Sequence, residues 1–399
     1  MAEVAADRSK VLDDPSACIA FEAFGDNALT LNMRAAPTTW DMTTTRTCLS
    51  CRDHEGPLMA GSCQLPHDIS ELGWPMLRLQ SQLRGHNLMR IAIMGSGGVG
   101  GYFGARLALA GNEVSFVARG KHLAAMQKHG LRVESSLGDL HVAELIATDD
   151  PAQLEPADIV LLGVKLWDTE AAAHAIAPLI GPETAVVSLQ NGVQKDEVLR
   201  RILGDAAVMG GVCYIAATIA EPGVIRHTGK MQKLVFGEYG QGGSRRASAF
   251  LDACHNAGID AEIHGDIRRT IWEKFVFLVG LSGTTATIRL PIGAIRSHPQ
   301  TRAFLLDAMR EVVAVGRAQG VQLAEDFAQD RLEFCDGLPA EMTSSMHLDL
   351  ERGNRLEVAW LGGDVVARGK EVLIPTPVNR AIYDLLVLHA EGRPARSET

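Results

Sequence analysis

The chain has 399 residues, 46% of them hydrophobic and 22% charged, with a formal net charge of -10. This is ordinary globular composition, long enough for two domains plus an extension, and the acidic balance excludes a general nucleic-acid role. No apolar run reaches a membrane span and no secretory signal is visible; seven irregularly spaced cysteines then point to free thiols in a reducing cytoplasm.

Residues 1–88 differ in character from the rest of the chain. They carry Cys18, Cys48, Cys51 and Cys63, a threonine-rich patch from Thr38 to Thr47, and little sustained periodicity. The segment reads as a poorly ordered leader or as an artefact of start-codon assignment. A zinc knuckle from Cys48, Cys51, Cys63 and His67 is the sharper alternative. Its second pair is spaced Cys-x-x-x-His and the segment is isolated, so no metal site is assigned.

From residue 89 the pattern becomes regular. Arg90-Ile91-Ala92-Ile93-Met94 suits a buried parallel strand. Gly95-Ser96-Gly97-Gly98-Val99-Gly100 comes directly after it, and a small-residue helix continues from Tyr102 to Ala110. In that setting Gly95 permits a tight turn, Gly97 close approach of a pyrophosphate, and Gly100 close helix packing. The helix start offers free amides and a positive dipole end to phosphates. The next strand, Glu113 to Ala118, ends at Arg119 with Lys121 close behind. An acidic residue is usual at this point for NAD. Arg119 instead suits a 2′-phosphate, so NADP(H) is the expected cofactor.

Alternating strands and helices over 89–264 predict a Rossmann-type doubly wound α/β sheet. Asp158 to Lys165 and Ala185 to Gly192 read as strands ending in polar Lys165 and Asn191, at the sheet edge where ligands bind. Val208 to Tyr239 reads as short strands continuing the sheet antiparallel, and 244–257 as a helix. Over 265–393 the pattern predicts an all-helical domain, with helices at Asp266–Ser282, Thr301–Gln319, Ala324–Cys335, Arg355–Arg368 and Val378–Ala390. A cleft between two such domains suits a small molecule.

Two helical-domain residues stand out chemically. Lys274 lies among apolar neighbours in Ile271-Trp272-Glu273-Lys274-Phe275. Burial there would lower its pKa and make it a usable general acid toward a ketone oxygen. By composition alone it also fits a lysine snorkelling from a surface helix. Glu357, ahead of Val358-Ala359-Trp360-Leu361, is a candidate carboxylate partner or a plain dipole-complementing acid at a helix start. Ser345 could hold a substrate carboxylate. His347 and Asp349, two apart on a helix, face different ways and make no metal pair.

Taken in order, the glycine motif, the strand ending in Lys165, the Asn191-Gly192 pair, the Trp272-x-Lys274 helix and the Ser344-Ser345-Met346…Glu357 segment resemble the ketopantoate reductase (2-dehydropantoate 2-reductase) family. The resemblance covers about residues 89–392. It implies a Rossmann domain followed by a helical domain, NADPH as reductant and a 2-keto acid as substrate. It further implies that Gly95, Gly97 and Gly100 form the phosphate turn, that Arg119 meets the 2′-phosphate and that Lys165 contacts cofactor. Asn191 would lie near the nicotinamide and the catalytic lysine. Lys274 would polarise the keto oxygen and donate the proton, Ser345 would hold substrate, and Glu357 would bond to the product hydroxyl. The chain departs from the family at Leu278 and Ser282, where asparagines are usual. The expected activity is reduction of 2-dehydropantoate to (R)-pantoate. Another branched 2-keto acid is the alternative substrate, and a non-catalytic dinucleotide sensor the alternative of another class. A homodimer is compatible with the sequence.

Overall fold

The computed structural model of the chain describes residues 18–25, 28–34, 88–240 and 243–393. In the first 85 residues, a compact unit by itself, it describes one antiparallel pair, β1 (Cys18–Gly25) and β2 (Ala28–Arg34). The threonine patch and the Cys48, Cys51, Cys63, His67 group lie outside the described residues.

The second unit begins with β3 (Arg90–Met94), α1 (Gly98–Leu109), β4 (Glu113–Val117) and α2 (Gly120–His129). Strands β5 (Leu131–Ser135), β6 (Leu140–Val142), β7 (Ile146–Thr148) and β8 (Ala157–Leu162) come next, then α3 (Thr169–Ile176), β9 (Ile180–Ser188) and α4 (Lys195–Leu203). The sheet closes with β10 (Val208–Glu221), β11 (Val224–Gly237), α5 (Arg245–Asn256) and β12 (Asp260–Ile263). The strand order is β6-β5-β11-β10-β9-β8-β3-β4-β7, with β12 also on β11. Strands β7, β4, β3, β8, β9 and the start of β10 run parallel, the Rossmann part of the fold. The chain leaves β3 toward β4 and returns to β8 on its other side, so the switch point lies between β3 and β8, above the glycine turn.

Where short strands are expected over 208–239, the structure has two 14-residue strands, β10 and β11. The turn between them uses Gly223 at φ +81°. Irregularities after Ile215 and Ile219 bend the pair. Two neighbours thereby share one side of β11: β5 pairs with Val224 to His227 and β12 with Lys233 to Phe236.

From Ile267 the chain is helical: α6 (Ile267–Ile288), α7 (Ile292–Ser297), α8 (Pro299–Ala318), α9 (Phe327–Asp336), α10 (Ser345–Arg352), α11 (Gly362–Glu371) and α12 (Pro377–Leu386). Helix α6 runs past the expected stop at Ser282. Its weak helix formers are offset by tertiary contact: Gly283 packs so closely that a Cβ there would meet Ile382, and the Thr285 hydroxyl meets the Ser344 hydroxyl at 2.8 Å. The helix expected over Arg355–Arg368 is instead a 3-10 turn, Val358–Trp360, and then α11. Leu361, at φ -106° and ψ -101°, breaks the path between them. One apolar core joins α6, α8 and their neighbours, and two others cover the two faces of the sheet. Among the described residues no helix is long and apolar enough to cross a membrane.

The glycine turn is braced from below. Gly95, at φ +94°, lies in a conformation that favours glycine. The Gly95 and Ser96 amides both donate to the Val117 carbonyl. A Cβ on Gly100 would sit 2.3 Å from the Gly95 carbonyl oxygen, a backbone atom that cannot swing aside. Gly100→Ala should therefore cost about 1–3 kcal/mol, measured by urea denaturation.

His122 is a second brace. Its Nδ1 accepts from the Gly223 amide, which leaves Nε2 to donate to the Ser96 carbonyl, 2.8 Å away. Burial lowers its pKa below the ordinary 6.5, and the Ser96 hydrogen bond partly opposes the shift. Between the depressed folded value and 6.5, the unfolded chain binds the more protons. Stability from this group is complete above that window and is lost as pH falls through it. The urea midpoint should drop between about pH 7.5 and about pH 5.5. His122→Gln, which keeps a donor and an acceptor, should flatten part of that drop.

Candidate active site

The site lies above the carboxyl ends of β3, β8 and β9, under α6. At its nucleotide end α1 has no side-chain cap and no acidic residue in its first turn, so the amides of its first residues, Gly98, Val99 and Gly100, are left for an acceptor. A Cβ on Gly97 would meet nothing within 4 Å. That open face and the free amides fit the pyrophosphate of a dinucleotide. Val99 packs its side chain toward the sheet core. Ser96 is turned inward, its hydroxyl donating to the Val117 carbonyl at 3.1 Å. With its amide also bound to Val117, Ser96 shapes the turn rather than reaching outward.

Arg119 stands at the residue before α2 with an exposed side chain that makes no cap to the helix, and its guanidinium meets Asp168 at 2.8 Å. Lys165, just past β8, pairs with Asp349 of α10 at 3.1 Å and lies 5.7 Å from the Trp167 ring centre. Exposed pairs of this kind are worth little, so both cations can exchange a carboxylate for a phosphate at small cost.

At the other end the structure brings Lys274 and Asn191 together. Lys274 Nζ donates to Asn191 Oδ1 at 2.9 Å and to the Cys213 carbonyl at 2.8 Å. An ammonium has three N–H bonds, and these contacts use two. The Tyr214 ring centre is 5.8 Å from the same nitrogen. The residue as a whole is half-buried while its ammonium lies deep, and desolvation lowers its pKa. The Lys195 charge adds to that shift, and the Glu357 charge opposes it. The pocket over this ammonium is lined by Asn191, Gly192, Val212, Ile271, Phe275 and Leu278. Its polar side is thus the sheet, and its helical side is apolar apart from Lys274.

Asn191 is aimed by its neighbour. Gln190 is buried, held by the Ser188 hydroxyl at 3.0 Å, and donates to Thr169 Oγ1 at 2.8 Å. Glu357 sits at the N-terminal side of the 3-10 turn, half-buried, and accepts the Leu166 amide at 3.0 Å. Ser345 is exposed at the first turn of α10, and its neighbour Ser344 caps that helix through the His347 amide. Ser282 is buried and its hydroxyl has no partner. His347 is buried and Asp349 is engaged by Lys165.

Sequence reasoning missed several residues of the site. Asp168 could have been suspected, since it sits three positions past Lys165 on the same sheet edge. The Cys213 carbonyl carries no side-chain signal at all. Lys195 stands in Gln194-Lys195-Asp196-Glu197, which reads as a solvated helix start, yet it is 1% exposed.

Comparison with known proteins gives this geometry a family. The ketopantoate reductase PanE/ApbA model matches residues 91–241, and the model of its C-terminal part matches 266–390. A 2-dehydropantoate 2-reductase of Archaeoglobus fulgidus is 35% identical over 302 residues, 75% of this chain and 97% of that protein. The crystal structure of a PanE/ApbA family ketopantoate reductase from Ralstonia eutropha superposes with a TM-score of 0.70 at 35% identity, covering 76% of this chain and 98% of that one. A D-mandelate dehydrogenase bound to NADH and anilino(oxo)acetate, at 21% identity, shares the fold with a TM-score of 0.70 over 76% of this chain and 98% of that one. The chain belongs to the ketopantoate reductase family and is an NAD(P)-dependent oxidoreductase.

Proposed function

We propose that this chain reduces 2-dehydropantoate to (R)-pantoate with NADPH, a step toward pantothenate and coenzyme A. The observation that carries the reading is the Lys274 ammonium, deep in the pocket and fixed by two acceptors, with one N–H still to give. A bound reduced nicotinamide supplies the hydride for the keto carbon. Lys274 aims its remaining N–H at the keto oxygen, stabilises the negative charge that grows there and passes the proton to it. Its lowered pKa weakens its hold on that proton. Asn191 and the Cys213 carbonyl keep the ammonium from rotating away. Glu357 anchors the new hydroxyl, Ser345 holds the carboxylate end, and Lys165 joins the glycine turn in holding cofactor. Arg119 supports the choice of NADPH, because its exposed guanidinium can trade Asp168 for a 2′-phosphate. The buried free thiols of Cys213, Cys254 and Cys335 suit a reducing cytoplasm.

A second reading, reduction of another branched 2-keto acid with a larger or more apolar tail, is favoured by Leu278. It lines the pocket beside Ile271 and Phe275, where it would penalise a polar group. A panel of 2-keto acids with NADPH and NADH separates the two. The highest kcat/KM should fall on 2-dehydropantoate; a higher value on a bulkier keto acid assigns the second reading, and no turnover on any of them sinks both.

Lys274→Ala should lose roughly 10²–10⁴-fold in kcat, the usual worth of a positioned acid. NADPH affinity, read by cofactor fluorescence, should stay near native. Arg119→Ala should raise the KM for NADPH by about tenfold or more, the loss of one charge-assisted contact. The KM for NADH should barely move.

A further inference from the structure

Beneath the pocket lies a buried charged cluster to which the proposed chemistry gives no part. Lys195 and Asp196, the first two residues of α4, are 1% and 2% exposed. Lys195 Nζ donates to the Ser188 carbonyl at 3.0 Å, to the Gly211 carbonyl at 3.1 Å and to both Asp196 carboxylate oxygens at 3.1 Å. The Tyr239 hydroxyl donates to Asp196 Oδ2 at 2.6 Å. Every N–H of this ammonium is taken, so Lys195 has none to offer a substrate. A buried pair of this kind is a poor source of stability, since desolvation offsets its attraction.

Its attachment points suggest what it does. Lys195 binds the carbonyls of Ser188, the last residue of β9, and Gly211 of β10. Lys274 binds the Asn191 side chain, three residues past Ser188, and the Cys213 carbonyl, two residues past Gly211. The two lysines are thus seated on the same two chain segments, one step apart, and both line the same pocket. We propose that Lys195, Asp196 and Tyr239 form a positioning unit that locks the β9 and β10 ends together, so that the acceptors of Lys274 stay in place and a fixed positive charge faces the Lys274 ammonium.

The proposal rests on Lys274 as the proton donor. The titratable groups facing it are the Cys213 thiol and Tyr214 phenol of β10, Lys195 of α4 and Glu357 beside the 3-10 turn. The Cys213 thiol donates to the Leu189 carbonyl, and burial pushes the Tyr214 phenol up to about 12, so the phenol is uncharged near neutrality. Lys195 is the one cation among these groups, and it makes the Lys274 proton easier to release. Glu357 acts the other way.

The test is the double variant Lys195→Met/Asp196→Asn. It removes both charges, strands neither, and keeps at position 196 an amide oxygen able to accept from the Tyr239 hydroxyl. The alkaline limb of kcat/KM should move up by about half a pH unit or more, because of the two charges removed it is the Lys195 cation that bears on Lys274. Titration of the Lys274 side chain by NMR on isotope-labelled lysine, assigned with Lys274→Arg, should move the same way without cofactor. Tyr239→Phe, a milder change should the double variant not fold, should shift both readouts in the same direction by less. A merely structural role would lower the melting temperature and leave both titrations where they are. Unmoved titrations in a folded double variant, or in Tyr239→Phe if that alone folds, overturn the proposal. Near-native turnover in Lys274→Ala instead overturns the catalytic reading on which it rests.

Discussion

The Lys274 ammonium ties the helical layer to the sheet, and the rest of the site is arranged around it. It hangs from α6 but finds its acceptors on the sheet, at Asn191 and Cys213, separated from it by 83 and 61 residues of sequence. A charge this deep is tolerated only while those acceptors hold it. Helix α6, the β9–α4 turn and β10 must therefore meet within hydrogen-bond tolerance, and a shift in any of them would strand a buried cation.

The surrounding seam is built from contacts of the same long range. Glu357 takes the Leu166 amide, Lys165 meets Asp349, and Gln194 Nε2 donates to the Trp360 carbonyl. Arg368 is shared between Asp364 of its own helix and Glu197 of α4. The Trp167 and Trp360 rings lie 6.1 Å apart, with the Arg355 guanidinium over both. Most of these links join a residue in the loops past β8 and β9, or in α4, to one in the helical layer. The same loops that offer Lys165 and Asn191 to the cleft also hold the cleft's far wall.

This division explains how much was legible beforehand. The β3–glycine–α1–β4 unit is local: strand, turn and helix adjoin in sequence, and the spacing of Gly95, Gly97 and Gly100 carries their geometry. Asn191 and Lys274 could each be singled out, but their meeting could not, since no local pattern encodes a contact across 83 residues. The family resemblance supplied that link. Lys195 shows the opposite failure. Its sequence neighbours are polar, its helix opens with acidic residues, and only the tertiary placement of α4 against β9 and β10 buries it. Ser96 is settled in the same way: the twist of the turn points its hydroxyl at the Val117 carbonyl, and no sequence pattern encodes that direction.

The two lysines also show how one scaffold separates structure from chemistry. Lys195 is paired with an adjacent carboxylate and fully hydrogen-bonded, so its ammonium has no N–H left for a new partner. Lys274 has a carbonyl, an amide oxygen and a more distant carboxylate, which leaves its charge only partly compensated. Under the proposed reading, the missing compensation arrives when negative charge develops on the keto oxygen. An interaction that is incomplete in the ground state and completed in the transition state is the kind that lowers a barrier rather than merely binding substrate. Leu278 sharpens that preference, because an apolar wall one turn along α6 gives the oxygen no competing donor from that side.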